Sequence, residues 1–145
     1  MGNLFVIEKD VENWSEAIRA CTDVLRKNGN VDEEFCQACI DREKEYPTGL
    51  AASVGVAIPH TQKSHVYHNG ICFLRLPQPV AFRRMDDPDT FVDASFVFNL
   101  AITDPEEQLA TLSKVMNFIQ DDKLLNRCRT MPLDELNQTV RTLLA

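Results

Sequence analysis

The stretch GVAIPHT, residues 55–61, decides more about the fold of this chain than any other. Its first four residues are small or apolar and form a run typical of a buried strand. Pro59 cannot continue a central strand, and it biases Ile58 towards an extended backbone. His60 is therefore predicted just past the end of a strand, on a turn that the proline stiffens. Ligands bind at such strand ends in open α/β sheets, so His60 is a candidate functional residue.

Helical patterns lie on both sides of this stretch. Capping residues and apolar spacing predict a helix that starts at Asn13 and stops at Gly29, a second from about Asp32 to Glu45, a third that starts at Asp104-Pro105, and two short helices over about residues 123–129 and 134–144. The third helix carries a single apolar stripe, predicted to face the core: Leu109, Leu112, Val115, Met116 and Ile119.

The strand pattern lies mainly in the middle of the chain. Strands are predicted at residues 55–58, about 71–76 and about 94–102, with residues 80–82 as another short strand and residues 4–7 as a strand or an extended lead-in. Residues 48–53 and the acidic segment 85–89 are predicted as loops. Strands between helices indicate the α/β class: a mixed central β-sheet flanked by helices on both faces, as a single-domain sandwich over residues 1–145.

Composition narrows the possible functions. Of 145 residues, 44% are hydrophobic and 26% charged, as in ordinary globular proteins. The net charge of −7 disfavours binding to nucleic acid, which is itself polyanionic. No apolar stretch approaches the roughly 20 residues of a membrane span, and the first residues lack a secretory pattern. We therefore expect a cytoplasmic protein that does not insert into a membrane.

The cysteines and histidines invite two further hypotheses. The five cysteines are odd in number, which favours reduced thiols over a disulfide framework. Cys36 and Cys39 form a C-x-x-C motif, but a helical pattern surrounds them, so core positions are favoured over a redox site. His60, His65 and His68 could suggest a metal site. Their loop carries no cysteine and no carboxylate, so exposed loop histidines are favoured, and no metal or cofactor is predicted.

Two segments together resemble a known family. REKEYPTG at residues 42–49 and GVAIPH at residues 55–60 are similar to the IIA component of the bacterial phosphoenolpyruvate-dependent sugar phosphotransferase system, of the mannitol/fructose type. Within that superfamily the chain most resembles galactitol-specific IIA proteins. The likeness runs from residues 3–6 to the helix at residues 104–119.

The resemblance implies a phosphotransferase with a phosphohistidine intermediate. His60 would accept a phosphoryl group from the phosphocarrier HPr and pass it to a cysteine of the cognate IIB protein. Uptake of a sugar or polyol through the membrane component IIC would follow. Arg42 would assist at the phosphoryl group, because a guanidinium can meet phosphate oxygens with two parallel hydrogen bonds. The alternative for Arg42 is a surface ion pair with Glu43 or Glu45.

Three further residues are candidates for hydrogen bonds to the phosphoryl oxygens. Thr61 follows His60, and Thr48 lies in the preceding loop. Gln108 stands where many relatives carry a second active-site histidine. A glutamine can donate a hydrogen bond but cannot titrate. Glutamine at this position is similar to the galactitol type.

Two alternative functions stay open. A regulatory protein of the same fold would be phosphorylated at His60 but would signal its state to a partner. A metal-binding module would use His60, His65 and His68 and would form no phosphohistidine.

Overall fold

One mixed β-sheet runs through the middle of the molecule in the computed structural model, which describes residues 3–61 and 63–145. The strands within these ranges are β1 (Leu4–Glu8), β2 (Gly49–Leu50), β3 (Gly55–Ala57), β4 (Gly70–Arg83) and β5 (Phe91–Ala101). They lie in the order β1-β4-β5-β3-β2. β1 is parallel to β4 and β3 is parallel to β5, whereas the β4–β5 and β2–β3 pairs are antiparallel.

Helices cover both faces of the sheet. The described ranges contain α1 (Trp14–Lys27), α2 (Phe35–Glu45), α3 (Pro105–Gln120), α4 (Asp122–Cys128) and α5 (Leu133–Leu143), with a short 3-10 turn at Lys63–His65. None of these helices is both long and apolar enough to span a membrane. The predicted fold class, a mixed sheet between helices in one sandwich, is confirmed.

The alternation of side chains along the central strands divides the core in two. Phe73, Phe96 and Phe98 point to the face that α3, α4 and α5 cover. Cys72 and Val97 point to the opposite face, under α1 and α2. Successive residues of a strand face opposite sides, so a sheet buried on both faces needs strands that are apolar throughout. This requirement explains the nearly continuous apolar runs of β4 and β5.

The sheet extends further than the sequence pattern predicts. β4 is one strand, although Pro77 and Pro79 separate its two predicted parts. β1 pairs with β4 only as far as Arg75, and the register against β5 shifts between Arg75 and Val80. The prolines therefore lie where no ladder needs their missing N–H groups. The predicted loop at 48–53 was also wrong in part, because β2 adds an edge strand to β3.

The predicted core stripe of α3 is wrong for two of its members. Leu109 is 68% exposed and Met116 is 38% exposed, whereas Val115 and Ile119 are buried as predicted. Thr111 and Phe118 complete the buried face instead. The apolar spacing alone does not show which side of the helix meets the sheet.

Gly55 allows β3 to approach β5 closely. A Cβ atom at this position would lie 2.1 Å from the Asp93 carbonyl oxygen, which belongs to the backbone and cannot rotate away. The register between β3 and β5 also shifts next to Gly55. The first residue of the GVAIPHT stretch is therefore a glycine for steric reasons.

We predict that Gly55→Ala lowers the free energy of unfolding by about 1–3 kcal/mol, because the strand must move to relieve the overlap. Urea denaturation of this variant and of the wild type measures the difference. Ala51→Ser, at an exposed position, serves as the control and should leave stability unchanged. A Gly55→Ala protein as stable as the wild type would contradict the steric explanation.

Candidate functional site

His60 lies just past the end of β3, as predicted, and is anchored against β5. A bridge joins His60 to Leu100. The carbonyl of Pro59 accepts hydrogen bonds from the Leu100 N–H, at 3.1 Å, and from the Asn99 side-chain amide, at 3.0 Å. The turn that carries the histidine is therefore held from the neighbouring strand.

The imidazole ring of His60 is oriented by its own chain. Nδ1 lies 2.8 Å from the carbonyl oxygen of Ile58. A carbonyl can only accept, so Nδ1 carries the proton in this contact. In the neutral ring the lone pair then resides on Nε2. The backbone thus selects the tautomer and leaves Nε2 as the nucleophilic nitrogen.

The surroundings of His60 favour the neutral ring. Burial lowers the pKa of His60 below its ordinary value of 6.5, and the positive charge of Arg42 lowers it further. The hydrogen bond to the Ile58 carbonyl acts in the opposite direction, because it stabilises the protonated ring. The net effect is downward, so Nε2 is free of a proton at neutral pH.

Arg42 lies near the end of α2, and its guanidinium forms no ion pair with a carboxylate in residues 3–61 and 63–145. Its central carbon stacks 4.6 Å from the centre of the Tyr46 ring. Its Nε is buried and donates to no atom of the described residues. Within those residues Arg42 also forms no ion pair with Glu43 or Glu45, so the alternative surface pairing is wrong. A buried donor without an acceptor suits an arriving anion.

The hydroxyl of Thr48, a weaker candidate from the sequence, already has hydrogen-bond partners within the protein. The side chain is buried, and its hydroxyl donates to Glu43 Oε1 at 2.8 Å. The Thr48 hydroxyl oxygen in turn accepts a hydrogen bond from the N–H of Ile58 at 3.0 Å. Thr48 therefore supports the segment that carries His60 and has no hydroxyl free for a ligand.

Asn99 is a site residue that the sequence reasoning missed. It is completely buried in β5, and its amide holds the Pro59 carbonyl. The sequence signal that could have identified Asn99 is a single amide side chain within the apolar run of residues 94–102. A buried polar side chain in such a run usually has a specific hydrogen-bond partner.

Gln108 and Thr61 remain candidates for hydrogen bonds to the phosphoryl oxygens. Gln108 is half-buried on the first turn of α3, which starts beyond the same end of β5 that His60 contacts. Asn69 holds the segment at the start of α3 in place: its side chain donates to Glu107 and accepts from the N–H of Thr103 at 2.9 Å. Thr61 is half-buried beside His60.

The histidines do not assemble as the metal hypothesis requires. His65 Nδ1 lies 3.1 Å from Asp32 Oδ2 and 3.9 Å from Glu34 Oε2. In the described part of the chain, these three residues are the group with ligand atoms close enough to share an ion, and neither His60 nor His68 belongs to it. All five cysteines lie in the described ranges and are free, consistent with the reduced thiols predicted.

Comparison with known proteins finds relatives along nearly the whole chain. A family model described as "Phosphoenolpyruvate-dependent sugar phosphotransferase system, EIIA 2" matches residues 2–140. The galactitol-specific EIIA component of Escherichia coli (strain K12) is 31% identical over 140 residues, which cover 95% of this chain and 93% of the relative.

Solved structures agree with the sequence comparison. The crystal structure of IIA mannitol from Escherichia coli superimposes with a TM-score of 0.75 at 31% identity, over 99% of this chain and 96% of that one. The complex of enzyme IIAMTL with phosphorylated enzyme IIBMTL, also from Escherichia coli, matches with a TM-score of 0.78 at 28% identity, over 97% and 94% of the two chains.

We predict that Arg42→Gln raises the pKa of His60, because protonation of the ring no longer opposes a neighbouring positive charge. The wild-type midpoint should lie below 6.5. Following the ring signal of His60 by NMR as pH is lowered measures both midpoints. Arg84→Gln is the matched control, since Arg84 pairs with Asp86 at the surface. An unchanged midpoint in Arg42→Gln would show that the guanidinium does not act on the ring.

Proposed function

Since the chain belongs to the EIIA 2 family of the phosphoenolpyruvate-dependent sugar phosphotransferase system, we propose that His60 is the residue that carries its phosphoryl group. The protein is a phosphotransferase of the IIA type, a phosphoryl carrier for sugar or polyol uptake with galactitol-type relatives. The observation that carries the assignment of His60 is its hydrogen bond to the Ile58 carbonyl, which leaves Nε2 with the lone pair.

In the first step, the Nε2 lone pair attacks the phosphorus of phosphorylated HPr. The P–N bond of the donor breaks, and its electron pair returns to the donor's histidine. The ring of His60 becomes a phosphorylated imidazolium while Nδ1 keeps its proton. The Ile58 carbonyl is already placed to accept from that N–H, so the positive ring is stabilised without rearrangement.

In the second step, a cysteine thiolate of the cognate IIB protein attacks the same phosphorus. The P–Nε2 bond breaks, its electrons return to the ring, and His60 is again neutral. Phosphoryl transfer asks the protein mainly for positioning and charge stabilisation, and both features are present before the donor arrives. The low pKa of His60 keeps the ring ready for the next cycle.

Arg42 stabilises the charge on the phosphoryl oxygens. Its guanidinium keeps its charge throughout the cycle, acts on the His60 ring and has a buried Nε without an acceptor in the described residues. Gln108, at the start of α3, and Thr61, next to His60, supply further hydrogen bonds to the same oxygens. Gln108 donates and does not titrate, so it transfers no proton in either step.

The proposed partners follow the order of the two steps. HPr delivers the phosphoryl group, and a IIB protein coupled to a membrane IIC component receives it, in the cytoplasm. The transported compound is similar to galactitol, in line with the galactitol-specific relatives. A regulatory role at the same histidine differs at one point: phosphorylated protein would not pass its group on to a IIB cysteine.

The test is phosphorylation by phosphoenolpyruvate, enzyme I and HPr, followed by intact mass. The wild type should gain one acid-labile phosphate. His60→Ala should gain none, whereas the matched control His68→Ala should behave like the wild type, because His68 is an exposed loop residue. A phosphate retained by His60→Ala, or a wild type that gains none from active partners, would overturn the assignment.

We predict that Arg42→Gln slows phosphorylation about 100-fold, the usual loss when one charge-stabilising donor is removed. Quenched-flow sampling of phosphorylated protein measures the rate, with Arg84→Gln as the control. Adding a purified IIB protein of the galactitol type to phosphorylated wild type then separates transport from regulation, since transport requires loss of the phosphate from His60 and its gain by IIB.

A further inference from the structure

We propose that Thr48, held in place by Glu43, is a positioning residue that sets the tautomer and orientation of His60. The inference rests on the proposed role of His60 as phosphoryl carrier. Neither residue touches the reacting atoms: both side chains are buried, with 3% of Thr48 and 4% of Glu43 exposed. They act through the backbone of Ile58.

Glu43 accepts hydrogen bonds from both donors of Thr48, its backbone N–H and its hydroxyl. Its Oε2 accepts the backbone N–H of Thr48 at 2.7 Å, and its Oε1 accepts the Thr48 hydroxyl at 2.8 Å. A buried carboxylate is costly unless its hydrogen bonds are satisfied. Burial raises the pKa of Glu43, and the hydrogen bonds from Thr48 and the positive charge of Arg83 offset only part of this rise. The carboxylate is thus used to fix the conformation of Thr48.

The direction of these hydrogen bonds is determined at both ends when Glu43 is ionised. An ionised carboxylate can only accept, so the single hydroxyl proton of Thr48 points to Glu43. The lone pairs of that oxygen then face the N–H of Ile58, which can only donate, at 3.0 Å. The hydroxyl has no alternative arrangement that satisfies both neighbours.

Ile58 connects this network to the catalytic ring. Its N–H is bound by the Thr48 hydroxyl, and its carbonyl is bound by His60 Nδ1. Neither group forms a main-chain hydrogen bond in the described ranges. The β2–β3 ladder pairs Gly49 with Ala57, so Thr48 stands where the next partner of Ile58 would be. A side-chain hydroxyl replaces the main-chain partner, and the Ile58 carbonyl is left to the histidine.

The test compares Thr48→Val, which keeps the shape and removes the hydroxyl, with Thr48→Ser, which keeps the hydroxyl. In the wild type, ¹⁵N NMR of the imidazole should show mainly the Nδ1–H tautomer. Thr48→Val should raise the Nε2–H population and slow phosphorylation about 10- to 100-fold, in line with the cost of small misplacements. Thr48→Ser should restore both. Glu43→Ala should shift both in the direction of Thr48→Val.

Circular dichroism at the working temperature confirms that each variant is folded before it is compared. A Thr48→Val protein with an unchanged tautomer would overturn the proposal, whatever its rate, because a purely structural role slows the reaction without changing the ring. Changes in Thr48→Val that are absent from Glu43→Ala would overturn the part assigned to Glu43. The tautomer is read without any phosphoryl donor, so failure of this inference is distinguishable from failure of the phosphocarrier assignment.

Discussion

The hydrogen bond between the His60 ring and the Ile58 carbonyl is the contact on which the site depends. It spans two residues of the same chain, and Pro59 between them limits how that backbone can bend. A hydrogen bond this local keeps its geometry only if the backbone of Ile58 and Pro59 is itself fixed by other contacts. The surrounding fold supplies that support from two directions, through the buried side chains of Glu43, Thr48 and Asn99.

One support comes from β5 and the other from the end of α2. Asn99 and Leu100 both bind the Pro59 carbonyl from the neighbouring strand. Arg42 and Glu43 are consecutive residues of α2 with different roles. The arginine acts on the ring through its charge, while the glutamate is turned inward to Thr48. A single helix end therefore contributes both the electrostatics and the geometry of the site. Rotation or displacement of α2 would disturb both together.

The sequence predicted what depends on local signals. The strand end at His60 followed from a proline, and the start of α3 followed from Asp104, whose side chain accepts the Glu106 N–H. Gly29 stops α1 with a positive φ of 77°, as glycine at a helix end commonly does. The fold class followed from the order of such segments.

The rest depends on which segments meet in space. Asn99 and Thr48 are distant from each other in sequence and act on neighbouring backbone groups, so no local pattern connects them. The exposed position of Leu109 depends on how α3 lies on the sheet. The continuity of β4 depends on where β1 ends. Resemblance to a family made His60 and Arg42 candidate site residues, but it did not show how the backbone orients the His60 ring.

The prolines of β4 have a consequence beyond the interruption of a sequence pattern. β1 ends at Glu8, which pairs with Arg75, and beyond Arg75 no described strand pairs with this edge of β4. An unpaired strand edge can recruit a strand of another molecule. Pro77 and Pro79 cannot donate to such a partner, and residues 77–79 are exposed. The two prolines therefore disfavour the pairing of this stretch of β4 with a strand of another molecule.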